Sequence, residues 1–315
     1  MTGCGPGGST SNIRIIGCDD GEVHPIHGED AGTTGATLKL GGLEDLYEAP
    51  IRTVERTPVR MDGAILRSVK TAVMEPVITV IVKGDQVNEF GQVDGALREA
   101  FSFELDPYYP DSTLARIEWE TGDSTRWLEV VLAEGSSYET EKVPHSDGEW
   151  EWEIHLKAYV PFWQEDDEVT SVEFTQAESG TTKPITVSNP TGVDMAHKWS
   201  GTVATWKLPD NSWEGRSWDR KPGGLWPTRT VPYPDLTADN GGLIVDMDPM
   251  QLPVRDAYDT NLIGAMPVQG DFPKYLIPRF TQEQTLDVTA TNVPAAGAAM
   301  TLRQPRRFRK PWGRV

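Results

Sequence analysis

Residues 149–160, EWEWEIHLKAYV, alternate apolar and polar side chains without a break for twelve positions. Trp150, Trp152, Ile154, Leu156, Ala158 and Val160 share one face, and Glu149, Glu151, Glu153, His155, Lys157 and Tyr159 share the other. Successive side chains of a strand point to opposite faces, so this period predicts a strand packed on one side and wet on the other. At roughly 3.3 Å per residue it would reach about 40 Å, long for a globular strand. A chain holding such an element must supply strands to pair it and a layer to cover its tryptophans.

Other segments point the same way. Val77–Lys83 is β-branched and bounded by Pro76 and Gly84, as a buried strand would be. Residues 116–120 and 126–132 flank a polar turn, TGDST, and predict a hairpin. One helix is expected: Val93, Leu97, Ala100 and Phe101 recur at helical spacing, Asp94 falls in the first turn, and the helix ends before Pro107. Residues 64–73 fit either strand or helix. Residues 1–35 carry nine glycines and few large apolar side chains, and read as an extended arm ordered only against something else.

Proline and an acidic run at 161–168 (PFWQEDDE) place a domain boundary near residue 165. Beyond it, apolar runs at 171–176, 184–188, 203–208, 243–247, 285–289 and 300–302 are separated by Gly, Pro and Asn, with no helical period. Such spacing reads as a β-sandwich or jelly roll. The chain is therefore expected to be mainly β: an arm (1–35), a first sandwich with one helix (36–165), a second sandwich (166–302) and a basic tail (303–315).

Composition narrows the function classes. The 315 residues leave room for about two domains. Forty-eight acids against 29 bases give a net charge of −19, which argues against a general nucleic-acid binder, since affinity for phosphate backbones comes from Lys and Arg. No apolar run approaches the ~20 residues of a membrane helix, so no membrane insertion is expected. The opening MTGCGPGGST lacks the basic and apolar regions of a signal peptide. Cys4 and Cys18 cannot staple a chain of this length and are read as free thiols.

Candidate sites are few. His24 and His27, with Cys18, Glu29 and Asp30 nearby, fit no zinc spacing, and Pro25 opposes the helix such ligands usually share. Asp246 and Asp248 precede Pro249 after an apolar run and read as turn chemistry rather than a metal pair. Glu149, Glu151 and Glu153 have carboxylate spacings that any exposed strand face provides. No nucleophile elbow, phosphate-binding loop or dinucleotide fingerprint occurs, so neither an enzyme nor a cofactor is expected. Of 11 tryptophans, Trp199, Trp206, Trp213, Trp218 and Trp226 lie in the second half. Trp213 and Trp218 sit among Asn, Ser, Gly and Arg; such exposed rings either stack on a sugar or anchor a partner.

The C-terminus reverses the charge. From Thr291 onward there are six bases (Arg303, Arg306, Arg307, Arg309, Lys310 and Arg314) and no acid. A basic tail on an acidic body suits contact with an acidic surface, its own or a neighbour's, or else is simply solvated.

Several longer segments carry a family resemblance. Residues 42–51 (GLEDLYEAPI), 96–107 (ALREAFSFELDP), 155–167 (HLKAYVPFWQEDD), 188–208 with its NPTG and HKW elements, 240–261, and 304–313 (QPRRFRKPWG) resemble the minor tail proteins of actinobacterial siphophages that correspond to the distal tail protein. The resemblance covers the chain from about Gly28 onward. It implies a ring, usually a hexamer, built by an N-terminal belt domain. A galectin-like second sandwich would hold baseplate or receptor-binding parts. It also implies partners, namely further copies of the chain, the tail tube protein, the C-terminus of the tape measure protein and the tail hub, in a virion assembled in the host cytoplasm with DNA passing through the bore. It carries no catalytic residues. Candidate interface residues are Leu97, Phe101, Arg306, Arg307, Arg309 and Trp312, with Trp213 and Trp218 as candidate glycan or partner contacts.

Overall fold

The computed structural model describes residues 11–57, 62–84, 89–135 and 148–313. Cys4 and Arg314 lie outside them. The chain divides into two compact units, one of residues 1–164 and 309–314, the other of residues 165–308 with residue 315.

The first unit is an antiparallel β structure with one α-helix among its described residues. Its strands are β1 (Asn12–Ile16), β2 (Val23–His27), β3 (Ala36–Glu44), β4 (Ile51–Arg56), β5 (Ile65–Thr71), β6 (Val77–Lys83), β7 (Ala115–Thr121), β8 (Ser124–Leu132) and β9 (Glu149–Lys157). Pairing runs β2–β1–β7–β8–β9–β6–β3. The tryptophan face of β9 is buried, with Trp152, Ile154 and Leu156 at most 4% exposed. The strand ends at Lys157 rather than Val160, because Ala158 makes only a single bridge to Met74 before Pro161.

The helix α1 (Phe90–Glu99) buries Phe90, Val93 and Leu97. Phe101 lies beyond its last turn, which stops eight residues short of Pro107 as the chain bends at Ala100. Asp94 joins helix to sheet: its carboxylate accepts from Trp150 Nε1 at 3.1 Å and pairs with Arg98 Nε at 2.9 Å. The Arg98 guanidinium lies over the rings of Trp150 and Trp152, whose planes are 12° apart. A cation over aromatic faces in a desolvated setting contributes about 1–2 kcal/mol.

Of the expected N-terminal arm, the described residues 11–35 are instead integral to this unit. β1 pairs with β7, Ile15 opposite Ile117, and Ile13, Ile15 and Ile26 are at most 1% exposed. Three buried isoleucines outweigh the glycine content between them, since each contributes about 1.5–3 kcal/mol on burial. The ambiguous run at 64–73 is strand β5.

The second unit is a two-sheet sandwich. One sheet has the order β18–β17–β12–β20–β10, from β10 (Trp163–Phe174, of which 165–174 lie in this unit), β12 (Lys198–Gly201), β17 (Leu243–Asp246), β18 (Val254–Asp256) and β20 (Ala298–Phe308). The other is β11–β19–β13–β16, from β11 (Thr182–Asn189), β13 (Thr205–Pro209), β16 (Thr230–Asp235) and β19 (Thr281–Thr291). A small hairpin, β14 (Trp213–Glu214) with β15 (Lys221–Pro222), stands apart. The core is built around Trp199, Trp206, Tyr233 and Phe174, each at most 2% exposed.

The acidic run lies within β10, and the division between the units falls inside it, between Gln164 and Glu165. One expectation changes here: residues 303–308 do not form a tail. They are the second half of β20, with Leu302, Gln304, Arg306 and Phe308 alternately buried. Among the described residues, 309–313 continue beyond it, and they belong to the first unit.

Candidate functional site

The most exposed regular element is the hairpin of β4 and β5. Every residue of both strands is exposed except the terminal Thr71, which is half-buried. Ile51, Val54, Ile65, Leu66 and Val69 are 40–59% exposed. Its two strands carry the cations Arg52, Arg56, Arg67 and Lys70 and the single acid Glu55. Arg52 stands directly opposite Lys70. Like charges so placed destabilise a ladder, and a two-stranded hairpin with no covering layer is marginal in water. Sequence reasoning missed this element as a site; its signal is the mixture of β-branched residues and cations on both faces.

The residues expected at an interface are distributed otherwise. Leu97 is fully buried and Phe101 only 6% exposed, its ring set edge-on to Trp152 at 6.2 Å. Both side chains are spent inside the first unit. Arg306 is also buried, donating to Ser188 O at 2.6 Å and Ser188 Oγ at 2.9 Å, and burial lowers its pKa. Arg307 lies 3.6 Å from Asp248. Arg309 is half-buried. Trp312 sits among first-unit aromatics, 4.8 Å from the Tyr47 ring and 4.7 Å from that of Trp119. Arg126, 5% exposed, fixes the same segment by donating to Lys310 O at 3.0 Å and Gly313 O at 3.2 Å.

The second-half tryptophans separate into core and surface. Trp199 and Trp206 are buried, the latter donating Nε1–H to Thr202 O at 2.8 Å. Trp213 packs against the second-unit core. Trp218 is 45% exposed, adopts φ +68°, and leans on Phe280 at 5.2 Å. Trp226 is 57% exposed beside a pocket of about 340 Å³ that Arg229, Asp271, Lys274 and Tyr275 also line. Arg229 there is paired with both Asp210 and Asp271, so its charge is already compensated.

Among the described residues, no group of three or more His, Cys, Asp and Glu could hold a metal ion. His24 is 1% exposed and bonds Thr34 Oγ1 through Nδ1; burial lowers its pKa. Asp246 Oδ1 accepts from the backbone of Asp248, the turn geometry its sequence suggested. Glu149 is ion-paired with Lys83, and Glu153 Oε1 lies 3.1 Å from His155 Nε2. Glu151 pairs with Lys39.

No family model matches the chain. Minor tail protein Gp27 of Mycobacterium phage D29 is 24% identical over 343 residues, spanning 93% of this chain and 97% of the relative. Among solved structures, the Dit protein (gp 19.1) of SPP1, described as a paradigm of the hub adsorption apparatus in phages infecting Gram-positive bacteria, superimposes with TM-score 0.50 at 11% identity, over 94% of this chain and 98% of Dit. A baseplate chain of phage p2, in its activated conformation with strontium, gives TM-score 0.47 at 7% identity over 94% and 98% of the two chains. In sequence the chain is similar to a mycobacteriophage minor tail protein, and in fold it is Dit-like.

Proposed function

We propose that the chain is a structural component of a phage tail tip, closing with further copies of itself into a six-membered ring that joins the tail tube to the baseplate and central hub. The observation that carries this is the β4–β5 hairpin. It exposes five large apolar side chains and a net positive charge on a chain of net charge −19. A second copy supplies both what the apolar residues need and the opposite charge. Head-to-tail contacts of one patch on a different patch close into rings when the rotation permits.

In the particle the neighbours would be the tail tube protein, the tape measure C-terminus and the tail hub, with assembly in the host cytoplasm. The acidic composition suits a bore through which DNA passes, because like charges form no counterion-releasing contacts. The role is mechanical and calls for no catalytic group.

The test is the mass of the full chain in solution across a concentration series, beside a Leu66→Glu/Val69→Glu variant. The wild type should associate and the variant should remain monomeric with an unchanged melting temperature, because both side chains are already about half exposed. Equal association of the two proteins would remove the hairpin from the account. A second reading, sugar binding by the second unit, is favoured by the exposed rings of Trp218 and Trp226. Glycan-array binding lost in Trp218→Ala and Trp226→Ala would establish it.

A further inference from the structure

One end of the first unit's sheet carries, besides the β4–β5 hairpin, a second exposed apolar surface of opposite charge. At this end β3 finishes at Glu44 opposite Val77, where β6 begins. β8 finishes there at Leu132 opposite Leu156 of β9, and β7 begins at Ala115 opposite Val130. The chain enters β7 from the loop that follows α1, and every residue of that loop from Phe103 to Asp111 is exposed. Phe103, Leu105, Tyr108 and Tyr109 are 46–93% exposed. Residues 99–115 hold four acids, Glu99, Glu104, Asp106 and Asp111, and no base. Single apolar side chains on a surface are ordinary, whereas a contiguous patch of them marks an interface, and Tyr and Phe are enriched at interface cores.

The loop is anchored at both ends. Phe101, just before it, is buried against Trp152, and Ser102 O accepts from Leu132 N at 3.0 Å. At the far end Thr113 N donates to Asp19 Oδ1 at 2.7 Å, and Asp19 N donates to Thr113 O at 3.2 Å. Between these anchors Asp106 N donates to Ser112 Oγ and Ser112 N to Tyr109 O, each at 3.0 Å. Pro107 and Pro110 fix their own φ. A surface ordered before contact loses little conformational entropy on binding.

We propose that this loop receives the β4–β5 hairpin of a second copy of the chain. The proposal rests on the ring reading above and names the surface of the neighbour which that reading requires. Charge selects the pair: residues 51–71 carry five bases and two acids, against the four acids and no base of the loop. Hairpin against hairpin would set cations on cations, whereas hairpin against loop opposes unlike charges and covers both apolar sets. Both surfaces stay exposed within one chain, so neither covers the other. They also stand on different flanks of the sheet. The hairpin leaves from β3 and β6 and the loop enters β7, with β9 and β8 between, a separation of about 14 Å at ~4.8 Å per strand. Each is thus free to meet a different neighbour, as ring closure needs.

Two charge-reversed full-length chains test this, by mass across a concentration series at low salt. One is Arg52→Glu/Lys70→Glu on the hairpin and the other Glu104→Lys/Asp111→Lys on the loop; all four side chains are exposed, so melting temperatures should match the wild type. Each variant alone should self-associate more weakly by about tenfold or more, because like charges then meet. An equimolar mixture of the two should recover wild-type association, since each hairpin finds an opposite loop on the other chain. The loop reversal brings the acidic chain closer to neutrality, so relief of general repulsion would strengthen association rather than weaken it. Tyr108→Ala should weaken association about fivefold at an unchanged melting temperature, and it decides the matter should the reversed loop fail to fold. A loop variant that associates as the wild type does, or a mixture that fails to recover, overturns the proposal. If Leu66→Glu/Val69→Glu still loses association in that case, the hairpin stands and another surface receives it. A discrete dimer showing the predicted pattern keeps the contact and removes the ring. A wild type that stays monomeric throughout overturns both.

Discussion

Truncation after Phe308 should destabilise the first unit and spare the second, although the residues removed follow the last strand of the second. Residues 309–313 belong to the first unit, where Trp312 makes two aromatic contacts, with Tyr47 and Trp119. Each such pair contributes about 0.5–1.5 kcal/mol beyond its area burial. Lys310 Nζ over the Tyr47 ring at 5.7 Å adds about 0.5–1 kcal/mol. Arg126 donates two hydrogen bonds to the segment's carbonyls, and bonds from a charged donor are worth about 1.5–3 kcal/mol each. These contributions share partners and do not simply add, and water can reach Arg126 once the segment is gone. A net loss of about 3–5 kcal/mol is expected, a large share of the 5–15 kcal/mol typical of a domain. Hydrogen exchange resolved by peptide is the assay. Protection should fall in β1, β7 and β8 of the truncated chain and hold in β11 and β19; Trp312→Ala should reproduce roughly half the effect. Unchanged protection of β7 and β8 would refute the reasoning, because Arg126 and Trp119 lie on those strands.

Three further perturbations have defined outcomes. His197 is buried, and burial lowers its pKa from 6.5 to about 4. The unfolded chain therefore binds the proton first: stability contributed by neutral His197 is intact above about pH 6.5 and falls as pH drops toward 4, by on the order of 3 kcal/mol. Denaturant melts of wild type and His197→Gln should diverge in pH slope across that window, and parallel slopes would count against it. Gly35 adopts φ +82°, where an added Cβ would lie 2.6 Å from Val93 Cγ1 and 2.7 Å from Lys83 O; Gly35→Ala should cost about 1–3 kcal/mol in a first-unit melt. Trp206→Ala removes a fully buried ring and should cost about 3–5 kcal/mol, lowering second-unit exchange protection while leaving β9 unchanged.

Elements whose two faces meet different environments were legible in the sequence. Residues 149–157 alternate because Trp150, Trp152 and Ile154 enter the core while the glutamates meet water; Val77–Lys83 and α1 show their burial equally plainly. Elements held by distant partners were not. Ile13 and Ile15 are too few to announce a strand among glycines, and their partner Ile117 lies a hundred residues away. β10 is polar through Glu165 to Glu168 because its backbone pairs while its side chains remain wet, so periodicity vanishes there. In β20 the buried positions include Gln304 and Arg306, polar side chains satisfied by the backbone of Ser188, so the pattern reads as a charged tail. The hairpin of β4 and β5 has no buried face within the chain, and nothing in its pattern could fix one. That same absence of a buried face is what makes it the candidate for contact with another copy.

Electron cryomicroscopy of the virion's tail tip tests the central claim most directly. The account predicts six copies of this chain in a closed ring below the tail tube, with residues 51–71 of each copy lying against an acidic surface of the next. A tip in which the chain is absent, or in which that hairpin stands free of any neighbouring copy, would contradict it.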